Sequence, residues 1–139
     1  MSPNLILWPV LAQVILTLVV YMVLGARRAR AFRAGQVDHR KAALDNRHWP
    51  PEVRQASNSV ANQFEGPVLF YVLCLVLHSL EAVGLATLVL AWGFVLSRCA
   101  HAWVHLGSNY VPRRFMLFLI GGLMLMAMAA LSVWHLILS

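Results

Sequence analysis

Asn58, Asn62 and Glu65 are spaced four and three residues apart, so a helix would carry them on one face. Arg98, His101, His105 and Asn109 follow the same rule, at offsets of three, four and four. Glu65 and Arg98 both lie within long apolar runs, where an ionisable group is costly unless paired and marks a candidate site. Arg98 stands about nine residues, or roughly 13 Å, before the end of its run near Gly107. Glu65 lies at a similar depth in the preceding run, so an intramembrane ion pair between the two is expected, either as part of a site or as a lock between helices. His101 and His105, at i and i+4, are also half of a metal site, with Glu65 or Asn109 as further ligands. No other Cys, His or acidic residue reaches their depth, so no metal is assigned.

The elements that position these residues read as membrane spans. The chain of 139 residues is 60% apolar and 12% charged, with a mean hydropathy of +0.71. Four mostly apolar segments, about residues 5–26, 60–80, 82–106 and 115–138, are each long enough to cross a hydrocarbon core of about 30 Å. The fold class is therefore all-α, an integral membrane four-helix bundle in a single domain. The first segment lacks a basic leader and is too long for a signal peptide, so a retained span is expected.

Eight of the eleven Lys and Arg lie between Arg27 and Arg54, and Arg113 and Arg114 lie between the third and fourth spans. The connection between the second and third spans carries only Glu81. This asymmetry puts both basic loops, 27–56 and the one around Arg114, in the cytoplasm and both termini outside. Basic loops beside a membrane meet lipid head groups rather than nucleic acid. One arginine of the Arg27–Arg33 stretch could turn inward to hold an anion, or all could snorkel. Gly35 to Pro51 reads as a loop with one short helical turn, and Trp49 suits the interface. The second helix should start near Glu52, just after the prolines. Gly66 and Pro67 should bend it directly after Glu65.

Further along, His78 and Glu81 could pair across one helical turn, and the short connection makes spans two and three antiparallel neighbours. Cys74 and Cys99 fall inside spans and read as buried thiols rather than a disulfide. Gly121, Gly122, Ala127, Ala129 and Ala130 permit close helix approach in the fourth span. Trp134 and His135 suit an outer-interface anchor.

Two stretches carry a family resemblance. Asn62-Gln-Phe-Glu65-Gly-Pro67-Val-Leu-Phe-Tyr71 resembles the second-helix signature of the MAPEG family, the membrane-associated proteins in eicosanoid and glutathione metabolism. Arg98-Cys-Ala-His101-Ala-Trp-Val-His105-Leu-Gly-Ser-Asn109-Tyr-Val-Pro112-Arg113-Arg114-Phe115 is similar to its third-helix stretch, most nearly that of an uncharacterised bacterial branch. The resemblance covers nearly the whole chain. It implies a homotrimer in the bacterial inner membrane, with both termini periplasmic, that binds glutathione as cosubstrate between subunits. The implied activity is transferase or peroxidase chemistry on a lipophilic small-molecule substrate arriving from membrane lipids. Arg114 would activate the thiol with Arg28 assisting, while Asn62, Glu65, Arg98, His101 and His105 line or support the cosubstrate. A guanidinium suits the first task because it favours the thiolate. The pattern departs at Asn58 and Ala61, where family enzymes carry arginines, at His105, where several have tyrosine, and at Phe115, where some have serine. These departures point to the alternative implied function, a non-catalytic member of the fold that binds a lipid or a partner protein.

Overall fold

The computed structural model describes residues 1–139 and consists of helices joined by short connections. A 3₁₀ turn, Pro3–Ile6, leads into α1, Leu7–Arg33. Pro9 sits in the first turn of α1, where its missing N–H has no helical acceptor to lose. Helix α1 buries Pro9, Gln13, Thr17, Val20, Leu24 and Ala31, a stripe at helical spacing, and turns its other faces outward. It continues past Ala26 because Arg27 to Arg33 is arginine and alanine except for Phe32, and both are strong helix formers.

Two aspartates shape the connection that follows. The Asp38 carboxylate accepts from the Arg40 and Lys41 amides and starts α2, His39–Leu44. The Asp45 carboxylate accepts from the Arg47 amide, capping a 3₁₀ turn at Asn46–His48, and pairs with the Arg47 guanidinium at 2.8 Å. Bonding to Arg47 holds the Asp45 carboxyl below the usual carboxylate range. Helix α3, Pro51–Asn62, begins at the second proline, close to the expected start.

The second span then breaks. Helix α4, Gly66–Ser79, carries Pro67 in its first turn, and Glu65 at the junction has φ −95° and ψ −97°. The expected bend after Glu65 is thus a full interruption at residues 63–65. Helix α5, Leu85–Leu106, starts where the Thr87 hydroxyl accepts from the Gly84 amide and donates to the Gly84 carbonyl. At its far end Asn109 adopts φ 54° and returns its amide to the Val104 carbonyl at 2.7 Å. That left-handed position suits asparagine better than most residues. Helix α6, Val111–Leu138, opens with Pro112.

Four helical segments, Pro3–Arg33, Pro51–Ser79, Leu85–Leu106 and Val111–Leu138, are long and apolar enough to cross a membrane. The chain is a multi-pass membrane protein. Its most extensive packing joins α5 to α6, then α1 to α3 and α4 to α6. Glycines make the α5–α6 approach possible: a Cβ on Gly93 would meet Met124 Cε at 2.7 Å, and one on Gly121 would meet Ser97 Oγ at 3.1 Å. Helix α4 leans on α6 more than on α5, which it touches through stacked Phe70 and Phe94 rings 4.6 Å apart.

The interior has two apolar clusters. One gathers Ile6, Phe70, Cys74, Leu77, Phe94 and Met128, and the other Leu24, Ala31, Val53 and Ala56. Between them along α1 lies a polar layer, where the Gln13 amide donates to the Gln63 carbonyl oxygen at 3.0 Å. Both glutamines are essentially fully buried.

Two local expectations are corrected. His78 bonds Asn4 Oδ1 at 3.0 Å rather than Glu81, which the turn places at φ 53°. Cys74 is buried as expected, but Cys99 is exposed, facing the groove between α1 and α5. Phase decides this: Arg98 and His101 take the inward side of α5 and leave Cys99 outside. Both thiols are free.

Candidate functional site

Helices α3 and α5 cross with their polar faces together. Where Gly66 and Pro67 end α3, the Asn62 carbonyl loses the amide that would continue the helix, and Arg98 supplies the missing donor from Nη2 at 3.0 Å. Arg98, only 3% exposed, is thus a cation capping a helix C-terminus, the end that favours positive charge. The expected Glu65–Arg98 ion pair is absent, since Arg47–Asp45 is the one ion pair in the structure. Both residues do line one groove, so the depth estimate holds, but the break resets the helical phase and leaves Glu65 exposed on the outer surface.

One turn further along α5, His101 and His105 are buried, with their rings edge-on at 5.6 Å. Asn62 Nδ2 lies 3.3 Å from His105 Nδ1. Arg114, in the first turn of α6, donates from Nη1 to Asn109 Oδ1 at 2.7 Å. Asn62, His101 and Arg114, with Val111, Phe115 and Phe118, enclose a cleft of about 200 Å³. His101 Nδ1 and Arg114 Nε are buried without a partner in the protein, as is Arg98 Nε. Unpaired buried polar atoms are rare, and several in one place are what a ligand site leaves behind. No third His, Cys, Asp or Glu joins the two histidines to hold a metal.

Beside the cleft, and sharing Phe118 with it, runs an apolar groove of about 490 Å³. Its walls come from α4, α5 and α6, with Leu69, Phe94 and Met126 among them, and its polar end is Glu65 and Arg98. Gly121 and Gly122 form part of its floor. The chain therefore sets a small cleft with polar walls against an apolar groove between helices that are long and apolar enough to cross a membrane.

The structure brings Asn62, His101, His105 and Arg114 together and sets Glu65 and Arg98 on the adjoining groove. Arg28 lies outside the cleft, with its guanidinium 5.1 Å above the Trp49 ring. Trp49 is itself held by its Nε1 donating to the Ala42 carbonyl and by edge contact with Phe32. The inward-turning arginine is Arg27, and it grips carbonyls rather than an anion. It donates to Leu106 O at 2.6 Å, Glu52 O at 2.9 Å and Gln55 Oε1 at 3.3 Å, tying α1, α3 and the C-terminus of α5. Gln55 completes the tie by donating to His105 O and Gly107 O. Sequence reasoning missed this role, although a cation one helix away from exposed C-terminal carbonyls is its general signal.

The MAPEG family model matches residues 5–134 of the chain. No curated protein and no solved structure matches it.

Proposed function

The chain belongs to the MAPEG family, and we propose that it is a membrane-embedded glutathione-dependent transferase or peroxidase acting on a lipophilic electrophile. Glutathione would supply the thiol whose thiolate is the nucleophile. The Arg114 guanidinium stabilises that negative charge and stays protonated when partly buried. Asn62 and His101 position the cosubstrate within the cleft, and His105 acts through its contact with Asn62. Arg98 holds the Asn62 carbonyl, and with it the end of α3, in place. Glu65 is suited to the α-amino group of the peptide. The electrophile occupies the apolar groove and meets the thiolate past Phe118. In transfer, a carbon–sulfur bond forms while the leaving group departs with its electron pair.

The observation that carries this reading is the convergence of Asn62, His101 and Arg114 on one cleft, with His101 Nδ1 and Arg114 Nε free of protein partners. A homotrimer in a bacterial inner membrane belongs to the same reading, with the basic loops cytoplasmic and the termini periplasmic. It is supported by Glu65, a carboxylate turned outward within a membrane span, which is costly against lipid and gains from a neighbouring subunit. Arg28, assigned a supporting role, would join from the loop end of α1 on release from Trp49. That stacking also favours a second reading, a non-catalytic lipid-binding member, because it leaves Arg114 the one cation lining the small cleft.

Conjugation of glutathione to an aryl halide by the purified protein in detergent separates the two. The enzyme reading expects turnover that Arg114→Ala abolishes while assembly persists. Absence of turnover in the wild type, with intact assembly, contradicts it.

A further inference from the structure

The polar face of α5 carries on beyond the helix to Asn109, in the turn between α5 and α6. Its backbone is left-handed, at φ 54°, and its amide closes the end of α5 on the Val104 carbonyl at 2.7 Å. The side chain serves a different neighbour. Asn109 Oδ1 accepts from Arg114 Nη1 at 2.7 Å, a short charge-assisted bond. That is the single hydrogen bond made by the Arg114 side chain, whose Nε is buried with no partner.

Arg114 needs such a hold. It sits in the first turn of α6, at the positive end of the helix dipole, where a cation is disfavoured. No acidic residue occupies that turn and no side chain caps it. The other ionisable groups around the cleft do not bond it. His101 and His105 face it from α5, with Arg98 a turn further back, and Arg113 lies 5.9 Å over the Tyr110 ring. Glu65 lines the adjoining apolar groove and forms no ion pair. Arg54 shares a polar cavity with Asn109 rather than with Arg114.

The partner that does hold Arg114 is neutral, and the backbone does not require this. Aspartate would accept the same bond, also tolerates the left-handed conformation, and would favour the start of α6 through the dipole. It would, however, cancel the charge of Arg114. A carboxamide fixes the guanidinium and leaves its positive charge whole.

We propose that Asn109 is a positioning residue: it fixes the Arg114 guanidinium in the cleft as an uncancelled positive charge for the anionic group bound there. That the anion is the thiolate of glutathione rests on the reading above; the hold on Arg114 does not.

Two variants separate place from charge. Asn109→Gly keeps the left-handed backbone without steric cost and loses only the carboxamide. Asn109→Asp keeps the bond and adds the cancelling charge. Nitrogen-15 spectra of the full-length protein in detergent, without glutathione, read the hold directly, with Arg114 identified by the signals lost in Arg114→Ala. In the wild type and in Asn109→Asp the two Nη signals of Arg114 should stay distinct, because a bonded guanidinium turns slowly about Nε–Cζ. In Asn109→Gly they should merge. Thiolate absorbance followed against pH at saturating glutathione reads the consequence. The bound thiol should reach half-ionisation about one pH unit higher in Asn109→Asp, and a smaller step higher in Asn109→Gly. Asn109→Asp should meanwhile match or exceed the wild-type thermal midpoint, a split that a purely structural residue does not produce. Distinct Arg114 signals in Asn109→Gly, or a bound thiol that ionises at the wild-type pH in Asn109→Asp, overturns the proposal. Merged signals in Asn109→Gly, with no glutathione bound by the wild type, support the hold and overturn the glutathione reading instead.

Discussion

Gln13 and Gln63 give the sharpest forecast of stability because their accounts are unequal. Gln13 Nε2 donates to Gln63 Oε1 at 3.0 Å, and Gln13 Oε1 has no partner. In Gln13→Leu the bond is lost, but one orphaned acceptor merely replaces another. The expected cost is the net worth of an interhelical bond in membrane proteins, about 0.6 kcal/mol. In Gln63→Leu the bond is lost and Gln13 keeps both polar atoms buried and unpaired, which adds a desolvation cost of about 1–3 kcal/mol. The 3.5 Å contact from Gln63 Nε2 to Ser59 O is too long to change this order. The double variant Gln13→Leu/Gln63→Leu buries no orphaned amide from either residue and should match or exceed the wild type. Equilibrium unfolding of the detergent-solubilised protein by increasing SDS fraction, followed by tryptophan fluorescence, measures all four states of the cycle. A Gln13→Leu variant that falls as far as Gln63→Leu, or a double variant less stable than both singles, refutes the reasoning.

Arg27→Ala removes three hydrogen bonds joining α1, α3 and α5 and should lower stability by about 2–4 kcal/mol, while Arg27→Lys recovers only part because one ammonium cannot span the three acceptors; the same unfolding assay reads both. Gly121→Leu should disrupt the α5–α6 contact, since a Cβ there already meets Ser97 Oγ at 3.1 Å, whereas Gly122→Leu has open space and should fold normally; yields of folded protein on size-exclusion chromatography distinguish them. Glu65→Ala should leave the fold of a single chain unchanged, because the carboxylate is exposed and unpaired, but should weaken glutathione binding and subunit assembly; loss of folded monomer would reinstate the ion pair with Arg98.

Much of the architecture was legible because it follows from periodicity. Four apolar runs and the punctuation at Pro51, Pro67 and Pro112 mark where the helices begin, although α1 runs on to Arg33, past the expected end at Ala26. The site was half legible. Spacing put Arg98, His101 and His105 on one face, and all three are buried together. What failed was phase across a break. Keeping the helix regular as far as Glu65, with the bend only after it, aims Glu65 at Arg98, but the interruption at residues 63–65 turns Glu65 outward and presents the Asn62 carbonyl instead. A main-chain acceptor exposed by a kink has no residue type of its own and so leaves no mark in the sequence. The choice among Arg27, Arg28 and Arg30 was equally hidden, because the carbonyls that select Arg27 belong to Glu52 and Leu106, far along the chain.

The central claim is that Arg114 and its neighbours form a thiolate site for glutathione. It is met most directly by titrating the wild type and Arg114→Ala with glutathione at neutral pH, reading the ultraviolet absorbance of the thiolate and the thermal midpoint together. The account expects both signals to saturate in the wild type, with a stabilisation of about 2.7 kcal/mol once glutathione reaches a hundred times its dissociation constant. In Arg114→Ala the thiolate signal should vanish while assembly is retained. A wild-type protein that neither gains stability nor shows thiolate at millimolar glutathione would contradict the account.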